Sequence, residues 1–354
     1  MLRRGWALWG TFVVVTATVA FAFTTRGGNG GATPQLVRRA GESTPASSST
    51  TAGRASEVVA APAVTSTTAA PAPPPPPPPS PPQPAPGTAV YRGLGTWVDV
   101  YDWSVTFSKH DPPPLGVGDI DAMAAAGIQT LFIQTAKWDA PGEILEPDRL
   151  LPLIQRARAQ GLSVVGWYLP SLLDPPADLA KLMATARLGL DGIAVDIEAR
   201  KVADVGERNR RLLALSSEVR RALPGQVIGA IPYPPVLLDV INPKLWPGFP
   251  WRELAPFYDV WLPMSYQSFR DARTGYRDAY RYTAENIDRM RAHLGWLDAP
   301  VHPIGGIADR TGPADVAAML RAASERGALG GSLYDWRTTS AALWPHLHGF
   351  RAPR

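Results

Sequence analysis

From Leu190 the chain reads LDGIAVDIEAR, and its residues alternate: Ile193, Val195 and Ile197 on one side, Ala194, Asp196 and Glu198 on the other. That period of two predicts a β-strand with one branched apolar face. Similar runs recur along the chain. Helix-like segments end in glycine and an apolar run follows at once, as in AAAGIQTLFIQT, RAQGLSVVGWYLP, LPGQVIGAIPY and ERGALGGSLYDW. Glycine accepts the left-handed conformation that closes a helix, so the run after it reads as a strand. The pattern predicts eight strands, near 94–102, 128–135, 162–169, 191–198, 226–233, 258–266, 302–308 and 330–336. The clearest helices between them fall at 147–160, 176–188, 204–223, 277–294 and 313–326.

Strands alternating with helices over residues 91–354 predict an α/β fold, the (β/α)8 TIM barrel. An open doubly wound sheet is the alternative, but TWVDVYDWS stands where its glycine-rich phosphate loop belongs. In a barrel, functional groups gather at the C-terminal ends of the strands. The polar and aromatic residues fall there: Asp99, Tyr101, Gln134, Trp167, Tyr168, Asp196, Glu198, Tyr233, Tyr266, Gln267, Tyr334, Asp335 and Trp336. Asp196 and Glu198 share one strand face about 7 Å apart, where each raises the other's proton affinity. Such a pair either serves chemistry or is a structural pair bonded to Arg200, Lys137 or backbone.

Composition changes the picture mainly at the N-terminus. The chain has 354 residues, a net charge of +4 and no cysteine. Arg3, Arg4, Arg26, Arg38, Arg39 and Arg54 against Glu42 and Glu57 account for the whole excess, so residues 91–354 are formally neutral and carry no nucleic-acid footprint. Arg3 and Arg4 precede an uncharged apolar run ending near Phe23, so residues 1–26 read as a signal peptide or membrane anchor. Residues 27–90 are rich in Ala, Thr, Ser and Pro, with consecutive prolines from Pro73 to Pro79, and read as a disordered linker with a stiff polyproline part. A domain behind such a tail is expected outside the cytoplasmic membrane, secreted or anchored, in or near a cell wall. The five histidines are scattered, so no metal site is expected, and no cofactor motif is present. There is no G-x-S-x-G elbow and no thiol nucleophile.

At two strands a family resemblance enters. DGIAVDIE resembles the fourth-strand signature DGxDxDxE of the family 18 glycoside hydrolases, the chitinase-like (β/α)8 barrels, with Asp191, Gly192, Asp196 and Glu198 matching. MSYQ, Met264 to Gln267, is similar to the family's sixth-strand M-x-Y-[DN]. The resemblance implies that Glu198 is the general acid, that Asp196 orients the substrate's acetamido group and that Tyr266 hydrogen-bonds it. It implies a polysaccharide or cell-wall glycan as partner and a substrate-assisted retaining mechanism, which needs no protein nucleophile. Ala194 stands where the family has its middle Asp, and aligning GGSLYDW on its glycines sets Asp335 at the family's eighth-strand Trp, one residue before Trp336. Substrate contacts are expected from Asp99, Tyr101, Gln134, Trp167, Tyr233, Gln267, Asp335 and Trp336.

Three functions stay open on the sequence. The first is a hydrolase of N-acetylhexosamine-containing glycans. The second pairs Glu198 with a carboxylate from another strand, Asp99, Asp309 or Asp335, on sugars without acetamido groups. The third is a glycan-binding barrel without turnover.

Overall fold

The computed structural model describes residues 87–353. The apolar N-terminal run and nearly all of the proline-rich segment lie outside the described residues. Among those described, no helix is long and apolar enough to cross a membrane.

Eight strands form: β1 Gly93–Val98, β2 Thr130–Gln134, β3 Ser163–Tyr168, β4 Gly192–Ile197, β5 Ile228–Pro232, β6 Val260–Trp261, β7 Ile304–Gly306 and β8 Gly330–Tyr334. All pair in parallel, in the order β6-β5-β4-β3-β2-β1-β8-β7. Parallel bridges Trp261–Val301 and Met264–Ile304 join the two outer strands and close the ring. This is the (β/α)8 barrel that the glycine punctuation predicts. Gly161 and Gly189 follow their helices at φ of 74° and 64°, a conformation that favours glycine.

The helices sit where their apolar faces demand. Pro147–Ala159 turns Leu150, Leu153, Ile154 and Ala157 inward, and Pro313–Glu325 turns in Val316, Met319 and Ala323. These meet the outward faces of β1, β2, β3 and β8: Leu94, Val98, Leu131, Ile133, Val164 and Leu333, all buried. Burying such aliphatic side chains stabilises the fold by roughly 1.5–3 kcal/mol each.

The barrel interior is aromatic and hydrogen-bonded. Tyr91, from the short 3-10 turn Thr88–Tyr91, closes the bottom, its hydroxyl donating to the Ile193 carbonyl at 2.6 Å. A Cβ at Gly192 would meet that hydroxyl at 2.9 Å, so the glycine of the β4 motif makes room for the plug. Above it Trp97 stacks on Phe132 at 4.3 Å and donates to Ser332 at 2.8 Å. His302 lies within hydrogen-bond reach of Ser332 Oγ and the Tyr91 carbonyl, and burial pushes its pKa down to about 4. This histidine is a neutral core residue. With its lower half filled, the barrel leaves its upper mouth as the place for chemistry.

Candidate active site

β4 places its residues as alternation requires. Ile193, Val195 and Ile197 are buried with the apolar residues, while Asp196 and Glu198 emerge at the strand's C-terminal end. Asp196 is buried and its Oδ1 has no hydrogen-bond partner. Among the described residues neither carboxylate forms a salt bridge: Lys137 pairs with Asp139 instead, and Arg200 with no acid. Neither ion pair that the sequence left open forms, although the Arg200 charge still reaches Glu198. Burial, then the Glu198 charge, holds the Asp196 carboxyl well above its usual range. Burial pushes Glu198 up to about 7, and the Arg200 guanidinium opposes it. Titrating together, the two retain a proton into the neutral range.

Tyr233 and Tyr266 flank this pair. Tyr233 follows β5 and donates its hydroxyl to the Glu198 carbonyl at 3.1 Å, which fixes the backbone of the acid. Tyr266 follows β6. Burial raises its pKa well above 10.0, and the charges of Glu198, Asp196, Asp335 and Asp99 add to that, so it lies in the field of both carboxylate groups in the mouth. It stays a neutral hydroxyl at physiological pH.

The second group joins β1 to β8. β1 stops at Val98 rather than running to residue 102, because Asp99 caps a helical turn, Val100–Trp103. Asp99 accepts from Tyr101 N–H at 2.8 Å and from the Tyr334 hydroxyl at 2.6 Å. Asp102 reaches back to Asp99 N–H at 3.1 Å and accepts from Arg337 at 3.2 Å. Asp335 accepts from Thr338 N–H and hydroxyl, both at 2.9 Å. Asp99, Asp102 and Asp335 bring one carboxylate oxygen each within 4.8 Å of one another, the only such grouping among the described residues. Burial, then the Asp335 charge, pushes Asp99 up to about 6. Asp102 is raised by burial and by both neighbours, and Asp335 chiefly by burial.

Other sequence candidates take packing roles. Gln134 accepts from Val100 N–H at 3.1 Å and anchors the β1 turn. Trp167 is buried edge-on to Trp97 at 6.0 Å, with its Nε1 unpartnered. Gln267 is buried and bridges Thr311 and Gly306 N–H, tying the loop after β6 to β7. Tyr101 lies half-buried against Phe107 at 6.0 Å, beside the outer core. Trp336 is not brought into the mouth. β8 ends at Tyr334, so alternation no longer applies two residues on, and Trp336 packs at 5.0 Å on Trp344 with its Nε1 toward Asp119. Tyr334 takes the inner position instead, 6.0 Å from Tyr266 and 6.4 Å from Trp97. The sequence sets Tyr334 at this strand end but does not single it out as a site residue, and Asp102 goes unnoticed in it. The D-x-x-D spacing of Asp99 and Asp102, a capping box, was the available signal for the latter.

No protein-family model and no curated protein matches the sequence. Solved structures do match in fold. A class V chitinase from Nicotiana tobaccum superposes with TM-score 0.53 at 10% identity, covering 73% of this chain and 98% of that one. The spore cortex-lytic enzyme SleL of Bacillus cereus gives 0.54 at 9% identity, over 74% of each chain. A family GH18 chitinase from Cycas revoluta gives 0.53 at 12% identity, over 73% of this chain and 98% of that one. The chain thus has the (β/α)8 fold of the chitinase-like glycoside hydrolases, at an identity too low to carry their activity across.

Proposed function

We propose that this barrel is a glycoside hydrolase acting on N-acetylhexosamine-containing glycans with retention, through the substrate's own acetamido group. The observation that carries this reading is the β4 pair: two carboxylates at a strand end in the mouth, with no salt bridge or hydrogen bond to either among the described residues, and with burial raising the proton affinity of both. Burying charge without a partner costs several kcal/mol, so a fold keeps it where a reaction uses it.

The steps follow from the positions. Protonated Glu198 donates to the leaving glycosidic oxygen as the acetamido carbonyl oxygen attacks the anomeric carbon, and the sugar–oxygen bond breaks. The cyclic oxazolinium that forms is cationic, and Asp196 stabilises it. Tyr266 donates to the acetamido group. Water then attacks the anomeric carbon, giving its proton to the Glu198 carboxylate, which restores the acid. We further propose that the domain works outside the cytoplasmic membrane, on the strength of Arg3, Arg4 and the apolar run after them. Protease added to intact cells should degrade it, whereas full protection rejects export.

One observation favours a second reading. Ala194 leaves Asp196 without a carboxylate beneath it on β4, while Asp99, pushed up to about 6, and Asp335 stand in the same mouth. A two-carboxylate glycosidase would use one of these as nucleophile or base. Hydrolysis of chitotetraose, with and without a thiazoline that mimics the cyclised intermediate, separates the two. The proposed route predicts turnover and strong inhibition. Turnover without inhibition supports the two-carboxylate route, and binding without turnover makes the barrel a lectin.

A further inference from the structure

The rim beside Glu198 carries positive charge that no acid among the described residues pairs with. Arg200 and Lys201 follow the acid on the loop after β4, and both are exposed. Neither has a carboxylate partner among the described residues, whereas Arg187, Arg210, Arg211, Arg220 and Arg221 all do. Lys201 Nζ stands 4.1 Å from the ring centroid of Trp138, which meets it from the loop after β2. Lys137 lies on the same ring at 5.5 Å but is matched by Asp139. The chain has five lysines against thirty arginines, and two of the five converge on this one half-buried tryptophan.

Solvated surface cations need no explanation by themselves. These two differ because of what they border. The titratable and charged groups around Arg200 are Glu198, Tyr233 and Arg208, and Arg208 in turn feels the charge of Asp204. Asp204 already caps its own helix by accepting from Glu207 N–H at 2.7 Å. Arg200 therefore works against the burial that holds the acid's proton, and no carboxylate among the described residues pairs with it. An anion delivered by the substrate would cancel that effect.

We propose that Arg200, Lys201 and the Trp138 ring form a subsite for a sugar bearing a carboxylate, so that the preferred substrate is an acidic N-acetylhexosamine glycan rather than a neutral one. The inference rests on the glycosidase reading and narrows its substrate class. The guanidinium offers a planar fork that grips a carboxylate in two places, and Lys201 keeps donors free while stacked over the indole. The indole supplies an apolar platform for a sugar face. The carboxylate could sit on the sugar ring, as in a uronic acid, or on an ether side chain, as in N-acetylmuramic acid.

The test is calorimetric binding to the full chain carrying Glu198→Gln, which cannot turn substrate over on the proposed route. Three tetrasaccharides are compared: chitotetraose, a polymer fragment alternating N-acetylglucosamine with N-acetylmuramic acid, and a hyaluronan fragment. At least one carboxylated ligand should bind about tenfold or more tighter than chitotetraose, and which one it is locates the carboxylate. The preference should vanish in the added Arg200→Gln/Lys201→Gln pair and shrink steeply with salt, while chitotetraose binding stays unchanged. Equal affinity for all three overturns the subsite and leaves the glycosidase reading standing, as does a preference that survives the double substitution. No binding of any of the three overturns both.

Discussion

Two groups of carboxylates share the mouth of this barrel, and they are built in opposite ways. Asp99, Asp102 and Asp335 are tied down: Tyr101, Tyr334, Arg337, Thr338 and the Asp99 N–H all donate to them. Asp196 is as buried as these and Glu198 half-buried, and among the described residues no donor holds either carboxylate. Desolvation raises both groups, Asp99 to about 6 and Glu198 to about 7. A raised proton affinity is thus common to the two and does not distinguish them. Hydrogen bonding does. The β1–β8 cluster spends its oxygens on holding the first loop to the last strand. The β4 pair keeps its oxygens free for something that arrives from outside.

The largest expected effect breaks that comparison at its reactive side. Glu198→Gln should lower kcat on N-acetylhexosaminides by roughly 10²–10⁴, the range for a lost general acid. Chitotetraose affinity and fold should be kept, as read by calorimetry and circular dichroism. Next, Asp99→Ala strips the tied cluster of its centre and leaves the Tyr101 N–H and Tyr334 hydroxyl without an acceptor. It should cost about 2–4 kcal/mol in chemical denaturation, as lost caps and unsatisfied buried donors do.

A smaller effect sharpens the contrast through pH. Folded Glu198 titrates at about 7 against an ordinary 4.5, so the folded protein holds this proton more tightly than the unfolded chain does. The stability tied to it is complete below about pH 4.5 and lost as pH rises through about 7. Glu198→Gln should therefore stabilise the protein by about 1–2 kcal/mol near pH 8.5 and hardly at all near pH 4.5, measured by urea unfolding. The smallest effect is that of Tyr334→Phe, which removes one hydroxyl from Asp99 and should cost about 1 kcal/mol.

The two groups were also unequally visible in the sequence. The β4 pair lies on a single strand, and local alternation was enough to set Asp196 and Glu198 on the inner face at a strand end. The barrel was legible for the same reason, since a glycine after a helix and an apolar run after the glycine are local signals. The β1–β8 cluster is not local: Asp99 and Tyr334 are 235 residues apart in sequence. Its two ends also break the period-two rule. β1 gives way to a capped turn at Asp99, and β8 stops at Tyr334, so Tyr334 rather than Trp336 faces the mouth. Where strands ended early, alternation carried too far misassigned faces. The cations at Arg200 and Lys201 were readable as residues, but their lack of partners was a property of the folded loops.

The measurement closest to the central claim is kcat/KM against pH on chitotetraose for wild type, Glu198→Gln and Asp99→Asn. The account predicts a basic limb near pH 7 in wild type, set by the free enzyme's Glu198. That limb should persist in Asp99→Asn with turnover largely intact, while Glu198→Gln shows only a flat residual rate. A limb that persists in Glu198→Gln and disappears in Asp99→Asn would make the tied cluster the reacting one and contradict the account.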